Sequence, residues 1–319
     1  MSLTVPTDFY ERLTDKYEEA VNNGHIIFNG GSATTESVKQ KVGNSTIDFQ
    51  LTLLKSLQHR PDNGTKAENP FAKPEPELTI LNNYGATDEF RVVFNKFPVV
   101  PKHFMIITKE FKSQNTPLAP NELQGILSML RELLKATNND ERWFAFYNSG
   151  PESGASQPHK HIQFMTFPDK NEFVAYPEQL ASTSEPFLPN VKQEPLQNPD
   201  LPFAHFVARL PDNLDDLEND DLNLFFASLL QRSLTVSRQN DADHISYNFV
   251  MTTKYMMIVP RRSALYKMKL GINSCGVVGL VLCKNEELFD LVKADGPENI
   301  LKEVGFPNTA GQGSDEYHY

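Results

Sequence analysis

The sequence predicts an α+β protein, and three observations carry that prediction. Short runs rich in Val, Ile and Phe are interspersed with three longer stretches whose apolar residues recur at helical spacing. The order strand, helix, strand, strand is found in the first half and again, weakly, in the second, so a duplicated α+β unit fits the pattern. Prolines and one Gly/Ser-rich stretch separate these segments.

Residues 7–23 place Phe9, Leu13, Tyr17 and Val21 four apart, with Asp8 near the start and Gly24 just past the end, which predicts an amphipathic helix. From Gly30 to Phe49 periodicity is weak, and the chain from Leu51 to Leu78 turns from apolar to Pro-, Asn- and Lys-rich. Both are read as loop, with Lys55 at the near edge of the second. Phe90 to Phe97 and His103 to Thr108 read as strands joined through Pro98 and Pro101, which suit a turn because proline donates nothing to a ladder. Asn95 and Lys96 stand at the edge of that turn. Pro120 suits the first turn of a helix striped by Leu123, Ile126, Leu127, Leu130, Leu133 and Leu134. Arg142 to Tyr147 is a further strand, leading into NSGPESGASQPHKHIQ at 148–163.

From Asp169 to Pro202 six prolines mark an irregular connection. Phe203 to Leu210 then reads as strand, Leu222, Phe225, Phe226, Leu229 and Leu230 as a helical stripe, and Ile245 to Thr253 with Tyr255 to Pro260 as paired strands. Ile272 to Lys284 ends in a buried-looking run closed by a basic residue.

Composition narrows the function classes. Hydrophobic residues at 39% and charged residues at 22% fit a soluble globular chain. No apolar run approaches the ~18 residues that span a bilayer, and MSLTVPTDFYERL has no basic-then-apolar signal segment. An intracellular protein is expected, in the cytoplasm and also the nucleus. Two cysteines, Cys275 and Cys283, are too few for a disulfide framework or a zinc set and are expected as thiols. A net charge of −11 argues against a nucleic-acid-binding surface, but not against a pocket that is locally basic or lined with backbone donors.

The chemistry concentrates in 148–163. Extended backbone has a side-chain period of two, so His159, His161 and Gln163 share one face and Lys160 and Ile162 the other. A neutral imidazole attacking phosphorus, with the Gln163 amide donating to a non-bridging oxygen, is one reading. A shared metal ion and a pair of structural histidines are the others, although no third histidine or carboxylate completes a metal set at an obvious spacing. Upstream, the loop NSGPESGASQP, from Asn148, Ser149 and Gly150 through Gly154, Ala155, Ser156 and Gln157, composes a candidate phosphate cradle of backbone N–H groups, to which Ser149, Ser156 and Gln157 add side-chain donors. It is no P-loop, since no Gly-Lys-Ser/Thr closes it and it opens into a strand. An isolated loop of this composition is more often a surface turn; its direct linkage to the histidine strand is what distinguishes this one. Lys55, Lys96 and Lys284 are candidate phosphate partners, against the ordinary reading of solvated surface charge.

These residues carry a family resemblance. The Gly/Ser loop with His-Lys-His-Ile-Gln resembles the transferase branch of the histidine-triad superfamily, in which glutamine replaces the third histidine. FNKFPVVP at 94–101, the block 147–163, AHFV at 204–207, INS with GVVGLVLCK, and the tail GFPNTAGQGSDEYHY resemble the fungal diadenosine tetraphosphate phosphorylases, or ATP adenylyltransferases. The resemblance implies an antiparallel sheet with peripheral helices in a single domain over 1–319, with a histidine-triad-like catalytic half at 50–168 and a degenerate second half at 200–319. It implies that His161 takes AMP from Ap4A and releases ATP, that phosphate then yields ADP, that Gln163 assists at the α-phosphate, and that His159 supports the pocket. It assigns nucleotide binding to Lys55, Asn95, Lys96, Asn148, Gly154 to Gln157, Asn273, Ser274, Cys275, Leu280 and Lys284; Cys275 stands where Thr is usual and Leu280 where Met is usual.

The expected partners are therefore dinucleoside polyphosphate, ATP, ADP, AMP and inorganic phosphate, with no nucleic acid or membrane, and the chain is expected as a monomer. Mg²⁺ or a similar divalent cation is expected to enter with the polyphosphate, without a permanent site. Adenylyl transfer from adenosine 5′-phosphosulfate is the alternative within the same chemistry. A metal-dependent enzyme and a nucleotide sensor without turnover are the alternatives outside it.

Overall fold

Phe90, Val92 and Phe94 alternate with Arg91, Val93 and Asn95 in a segment that pairs on both sides, so its two faces meet different surroundings. The same alternation organises the molecule. A computed structural model of the chain describes residues 4–28, 33–54, 69–188, 193–218 and 220–312.

In chain order the elements are α1 (Phe9–Asn22), β1 (Thr34–Val42), β2 (Ser45–Leu53), β3 (Thr79–Tyr84), β4 (Phe90–Phe94), β5 (Phe104–Thr108), α2 (Pro120–Ala136), β6 (Trp143–Ser149), β7 (His161–Thr166), α3 (Tyr176–Ser182) and β8 (Phe206–Arg209). There follow α4 (Asp221–Gln239), β9 (Tyr247–Met251), β10 (Tyr255–Pro260), the two-residue strands β11 (Leu265–Tyr266) and β12 (Leu270–Gly271), the single turn α5 (Ser274–Val277), β13 (Leu280–Cys283), α6 (Glu286–Asp295) and α7 (Pro297–Val304).

The expected α+β architecture with an antiparallel sheet is what the chain forms. Eight strands pair in the order β3-β4-β5-β7-β6-β9-β10-β8, every pair antiparallel. The weak echo between the halves is visible in that order. The succession β5, α2, β6, β7 is matched by β8, α4, β9, β10, and β5-β7-β6-β9-β10-β8 reads the same from either end. The halves meet where β6 pairs with β9, with Asn148 opposite Asn248.

One face of the sheet buries Phe104, Ile106, Ile162, Phe164, Phe249 and Ile258 against α1, α2 and α4. Phe104 lies between a stacked Phe164 at 4.7 Å and the edge of Phe9 at 5.6 Å. The other face buries Phe144, Phe146, Val250, Met257 and Val259 against a second layer. That layer holds α6, α7 and a three-stranded sheet, β1-β2-β13, in which β13 runs parallel to β2. Over β4 and β5 this face carries a small cluster of Phe71, Val93, Met105 and Ile107, and there a hollow opens.

Two segments read as irregular are ordered elements. Between Gly30 and Leu53 the chain forms the β1–β2 hairpin, turning at Gly43-Asn44 with Gly43 at φ +59°. β1 alternates between exposed and half-buried residues that are polar except for Val38 and Val42, which weakens its hydrophobic period. The alternation of Ile47, Phe49, Leu51 and Leu53 in β2 shows when the run is taken whole. Within 169–202 lies α3; its Pro177 sits in the first turn, where a helix needs no N–H from it. Strand β4 ends at Phe94, three residues before the expected end, as the chain turns toward Pro98.

The long connection is tied to β8 by His205, whose Nδ1 donates to Phe203 O and whose Nε2 accepts from Asn198 N, both at 2.8 Å. Burial pulls this imidazole down to about 4. The unfolded chain therefore binds the proton more readily than the native one, and stability is lost as pH falls from about 6.5 toward 4. Urea unfolding is expected to show a loss of about 2 kcal/mol between pH 7.5 and 5 that His205→Leu, less stable throughout, largely lacks.

Candidate active site

The histidine strand is fixed from three sides. At its centre, β7 pairs with β5 through Ile107↔His161 and Met105↔Gln163, and with β6 through Phe146↔Gln163. Beyond Phe146↔Gln163 the β6–β7 ladder ends, and the side chain of Gln114 occupies the gap as a short surrogate strand. Its Oε1 accepts from His161 N at 2.8 Å, and its Nε2 donates to Asn148 O at 2.8 Å and His161 O at 3.2 Å. On the helical face, Lys160 Nζ meets Glu122 Oε2 at 2.6 Å and Pro117 O at 2.8 Å, with both side chains almost wholly buried. Burial holds the Lys160 pKa below the ordinary lysine value even with Glu122 alongside. Glu122 also accepts from Ala119 N at 2.7 Å at the start of α2, so one carboxylate joins that helix to the strand.

The two histidines differ in what their rings can do. His159 Nε2 lies 2.8 Å from Thr108 O, an acceptor, so this nitrogen carries the proton. Its Nδ1 lies 2.8 Å from Asn69 Nδ2, and Asn69 Oδ1 is already fixed by Phe71 N at 3.0 Å, so Nδ1 accepts. Both nitrogens are committed, and burial lowers the His159 pKa, keeping the ring neutral. His161 Nδ1 lies 2.8 Å from His159 O, which can only accept. Nδ1 therefore bears the proton, and Nε2 carries the lone pair. Among the described residues, the group of three side chains able to share a metal ion is His25, Glu75 and Glu77, which includes neither His159 nor His161.

His161 and Gln163 open into a hollow of about 320 Å³, together with Asn95, Lys96, Ser156 and Gln157. Phe71, Leu78, Val93, Phe94, Phe97 and Met105 give it apolar walls. Lys96 Nζ is held at 2.7 Å by Glu75, which also lines it. A second hollow, of about 380 Å³, lies across the loop and gathers Gly154, Ala155, Asn273 and Leu280 with Ile272, Gly276 and Leu282.

The loop between them depends on two glycines. Gly150 has φ +90°, and a Cβ there would stand 2.4 Å from Ile245 O; Gly154 has φ +79°, and a Cβ there would stand 2.7 Å from Ile272 O. Both press the loop onto the second half. The N–H groups of Glu152 and Ser153 are used by Ser246 Oγ and Gly150 O, so a cradle narrows to Gly154–Gln157.

Other nominated residues sit elsewhere. Asn148 is buried in the seam: its Oδ1 accepts from Asn248 Nδ2 at 2.8 Å, Ser274 N at 2.9 Å and Ser274 Oγ at 2.6 Å. Ser149 is buried, on the strand end that pairs with Tyr247. Cys275 is buried with Sγ 3.9 Å from Met165 Sδ, and burial pushes its thiol up to about 12. Lys284 is exposed just past β13, and Lys55 lies outside the described residues. Sequence reasoning passed over Gln114, Asn69 and His103, whose Nε2 lies 3.0 Å from Gln163 Oε1. Each sits in a turn or at a strand start with no local periodicity to mark it.

Comparison with known proteins agrees along the whole chain. The family model for the Ap4A phosphorylase N-terminal domain matches residues 2–191, and that for the ATP adenylyltransferase C-terminal domain matches residues 199–307. The chain belongs to the Ap4A phosphorylase family of ATP adenylyltransferases. Protein APA1 of Saccharomyces cerevisiae is 36% identical, over 99% of this chain and 100% of its own. Diadenosine 5′,5′′′-P1,P4-tetraphosphate phosphorylase 2 of the same yeast is 37% identical, over 97% of this chain and 98% of its own. Crystal structures of yeast Ap4A phosphorylase Apa2 with AMP and with Ap4A each superpose with a TM-score of 0.83 at 35% identity, covering 97% and 96% of this chain and 100% of theirs.

The seam is open to a direct test. Asn148→Leu leaves Ser274 N and one hydrogen of Asn248 Nδ2 buried without their acceptor, while Ser274 Oγ can turn to Tyr147 O at 3.3 Å, and equilibrium unfolding is expected to show a loss of about 2–4 kcal/mol.

Proposed function

We propose that this family member carries out phosphorolysis of Ap4A, with inorganic phosphate giving ATP and ADP through an adenylyl group held on His161. The observation that carries the reading is the tautomer of His161. Its Nδ1 donates to the carbonyl of His159 two residues back, which leaves the nucleophilic lone pair on Nε2. The relatives named for Ap4A, and the Apa2 structures bound to AMP and Ap4A, support the substrate class.

In the first step the Nε2 lone pair forms a bond to an α-phosphorus of Ap4A, and the bond from that phosphorus to the bridging oxygen of the departing ATP breaks. In the second, an oxygen of inorganic phosphate attacks the same phosphorus, the P–N bond returns its electron pair to His161, and ADP leaves. Gln163 stabilises the charge that develops on the non-bridging oxygens. Being a neutral amide, it relays no proton to water, so the adduct waits for phosphate instead of hydrolysing. His159, with both ring nitrogens engaged, supplies the carbonyl that orients His161.

The two hollows flank Gly154–Gln157, an arrangement suited to a substrate with a nucleoside at each end of its phosphate chain. Lys96 turns from Glu75 to phosphate when substrate enters. A divalent cation such as Mg²⁺ enters bridging the polyphosphate oxygens and keeps much of its water shell.

Incubation with Ap4A and phosphate is expected to give ATP and ADP in equal amounts; two ADP per Ap4A would mean another reaction. Without phosphate, adenine-labelled Ap4A is expected to label the protein, with slow release of AMP. His161→Ala is expected to abolish labelling and lower turnover about 10³-fold or more, while His159→Ala weakens both. Labelling that survives in His161→Ala would reassign the nucleophile.

A further inference from the structure

The amide of Gln163 has two ends, and transition-state stabilisation needs the N–H end toward the phosphate. Nothing in a glutamine side chain itself selects that end. The selection can be followed from a backbone group that has one possible role.

Phe97 N–H is a donor, and it lies 3.0 Å from Asn95 Oδ1. That contact sets the Asn95 amide with its oxygen toward residue 97 and its Nδ2 toward His103, whose Nδ1 is 3.4 Å away. Nδ2 donates, so His103 Nδ1 accepts, and the proton of the neutral ring lies on Nε2. His103 Nε2–H then donates to Gln163 Oε1 at 3.0 Å. With its oxygen committed, the Gln163 amide turns its NH₂ group toward the hollow that His161 shares. The backbone holds the frame: Asn95 N donates to His103 O at 3.0 Å, so both relay residues are tied across the β4–β5 turn. His103 is almost fully buried, with Phe146 packed 6.2 Å from its ring centre, so few rotamers are open to it.

We propose that His103 is a positioning residue for the adenylyl transfer: with Asn95, it passes the polarity of the Phe97 amide to Gln163 and so keeps a donor aimed at the α-phosphoryl oxygens. The inference rests on the adenylyl-transfer reading and adds to it the source of the amide's orientation. A ring with protons on both nitrogens would break the relay, since two donors would then meet at Asn95 Nδ2 and His103 Nδ1. The relay also places Asn95, on the rim of the hollow, in a structural chain whose far end is catalytic.

The test exchanges donor for acceptor at one point. His103→Gln keeps an N–H near the position of Nε2, whereas His103→Glu puts carboxylate oxygen there and draws the NH₂ of Gln163 to itself. For Ap4A phosphorolysis, kcat is expected within about fivefold of wild type for His103→Gln and about 100-fold lower for His103→Glu, the cost of one lost oxyanion donor. KM is expected to stay within about threefold in both, because the interaction is made in the transition state.

In a Gln163→Ala background the difference between the two His103 variants is expected to shrink to less than about twofold, since the relay then has nothing to orient. A purely structural role predicts the opposite: equal kcat for the two variants, or a difference that survives in Gln163→Ala. Either result overturns the proposal. Thermal unfolding is read in parallel; if His103→Glu does not fold, His103→Leu, which removes the donor without adding charge, takes its place in the same comparison. Failure of the underlying reading is recognisable separately, as wild-type protein that forms neither labelled adduct nor ATP and ADP.

Discussion

Asn148 and Asn248 face one another where two strands from different halves of the chain become neighbours in one sheet, and the site depends on that pairing. Asn148 Oδ1 gathers donors from Asn248 and Ser274, while Asn248 Nδ2 also reaches Ser153 O at 2.8 Å. The seam thereby binds β6, β9, the Gly-rich loop and the turn at Asn273 into one unit. The oxygen is buried, so each donor would lose its partner without gaining water if the halves slid apart. That cost gives the loop a fixed floor, and the two glycines let it lie close enough to use it.

A second constraint sets the register of the histidine strand. A slip by one residue would turn His161 into the helical core and bring Lys160 into the hollow, because side chains alternate with a period of two. The Lys160–Glu122 pair opposes this. A buried ion pair is weak evidence for stability, since desolvating both charges offsets most of their attraction, but a displaced lysine would leave Glu122 buried and uncompensated. The pair's contribution is to specificity of register. Gln114 reinforces it by accepting from His161 N–H, in place of a ladder bond from β6.

Much of this was legible in the residues themselves. The alternation of His159, His161 and Gln163 against Lys160 and Ile162 describes the two faces of the strand as they stand, and the stripe of α2 lies in the core from Leu123 to Leu133, with Leu134 half-buried at its margin. The hairpin β1–β2 was obscured because its edge strand β1 is amphipathic too weakly to show a period, and because β2 finds its other neighbour in β13, where Leu280 pairs with Gln50 from 230 residues earlier in sequence. His103 and Gln114 were obscured for a different reason. A lone polar residue beside a proline-rich turn acquires meaning only when antiparallel pairing brings it next to Gln163 or His161, and no local spacing encodes that pairing.

The symmetry of the sheet also shows how the two halves differ at the position proposed for the nucleophile. If Tyr147-Asn148 in β6 is laid on Tyr247-Asn248 in β9, Phe146 falls on Ser246. Gln163, paired with Phe146, then falls on Arg261, whose N–H bonds Ser246 O at 2.8 Å. Two residues earlier, His161 falls on Val259, which pairs with Asn248 and packs in the core. The second half thus has no side chain with a lone pair at the reactive position. Its Arg261 is spent internally, donating to Asn248 Oδ1 at 2.5 Å and Ile272 O at 2.8 Å. Burial pulls this guanidinium down to about 9, which still leaves it charged at neutral pH. A permanent cation there holds the strand end that leads to Asn273 and the second hollow. Equivalent positions in one sheet thus hold His161 and Gln163, facing the hollow, on one side of the seam and a brace for the loop's far wall on the other.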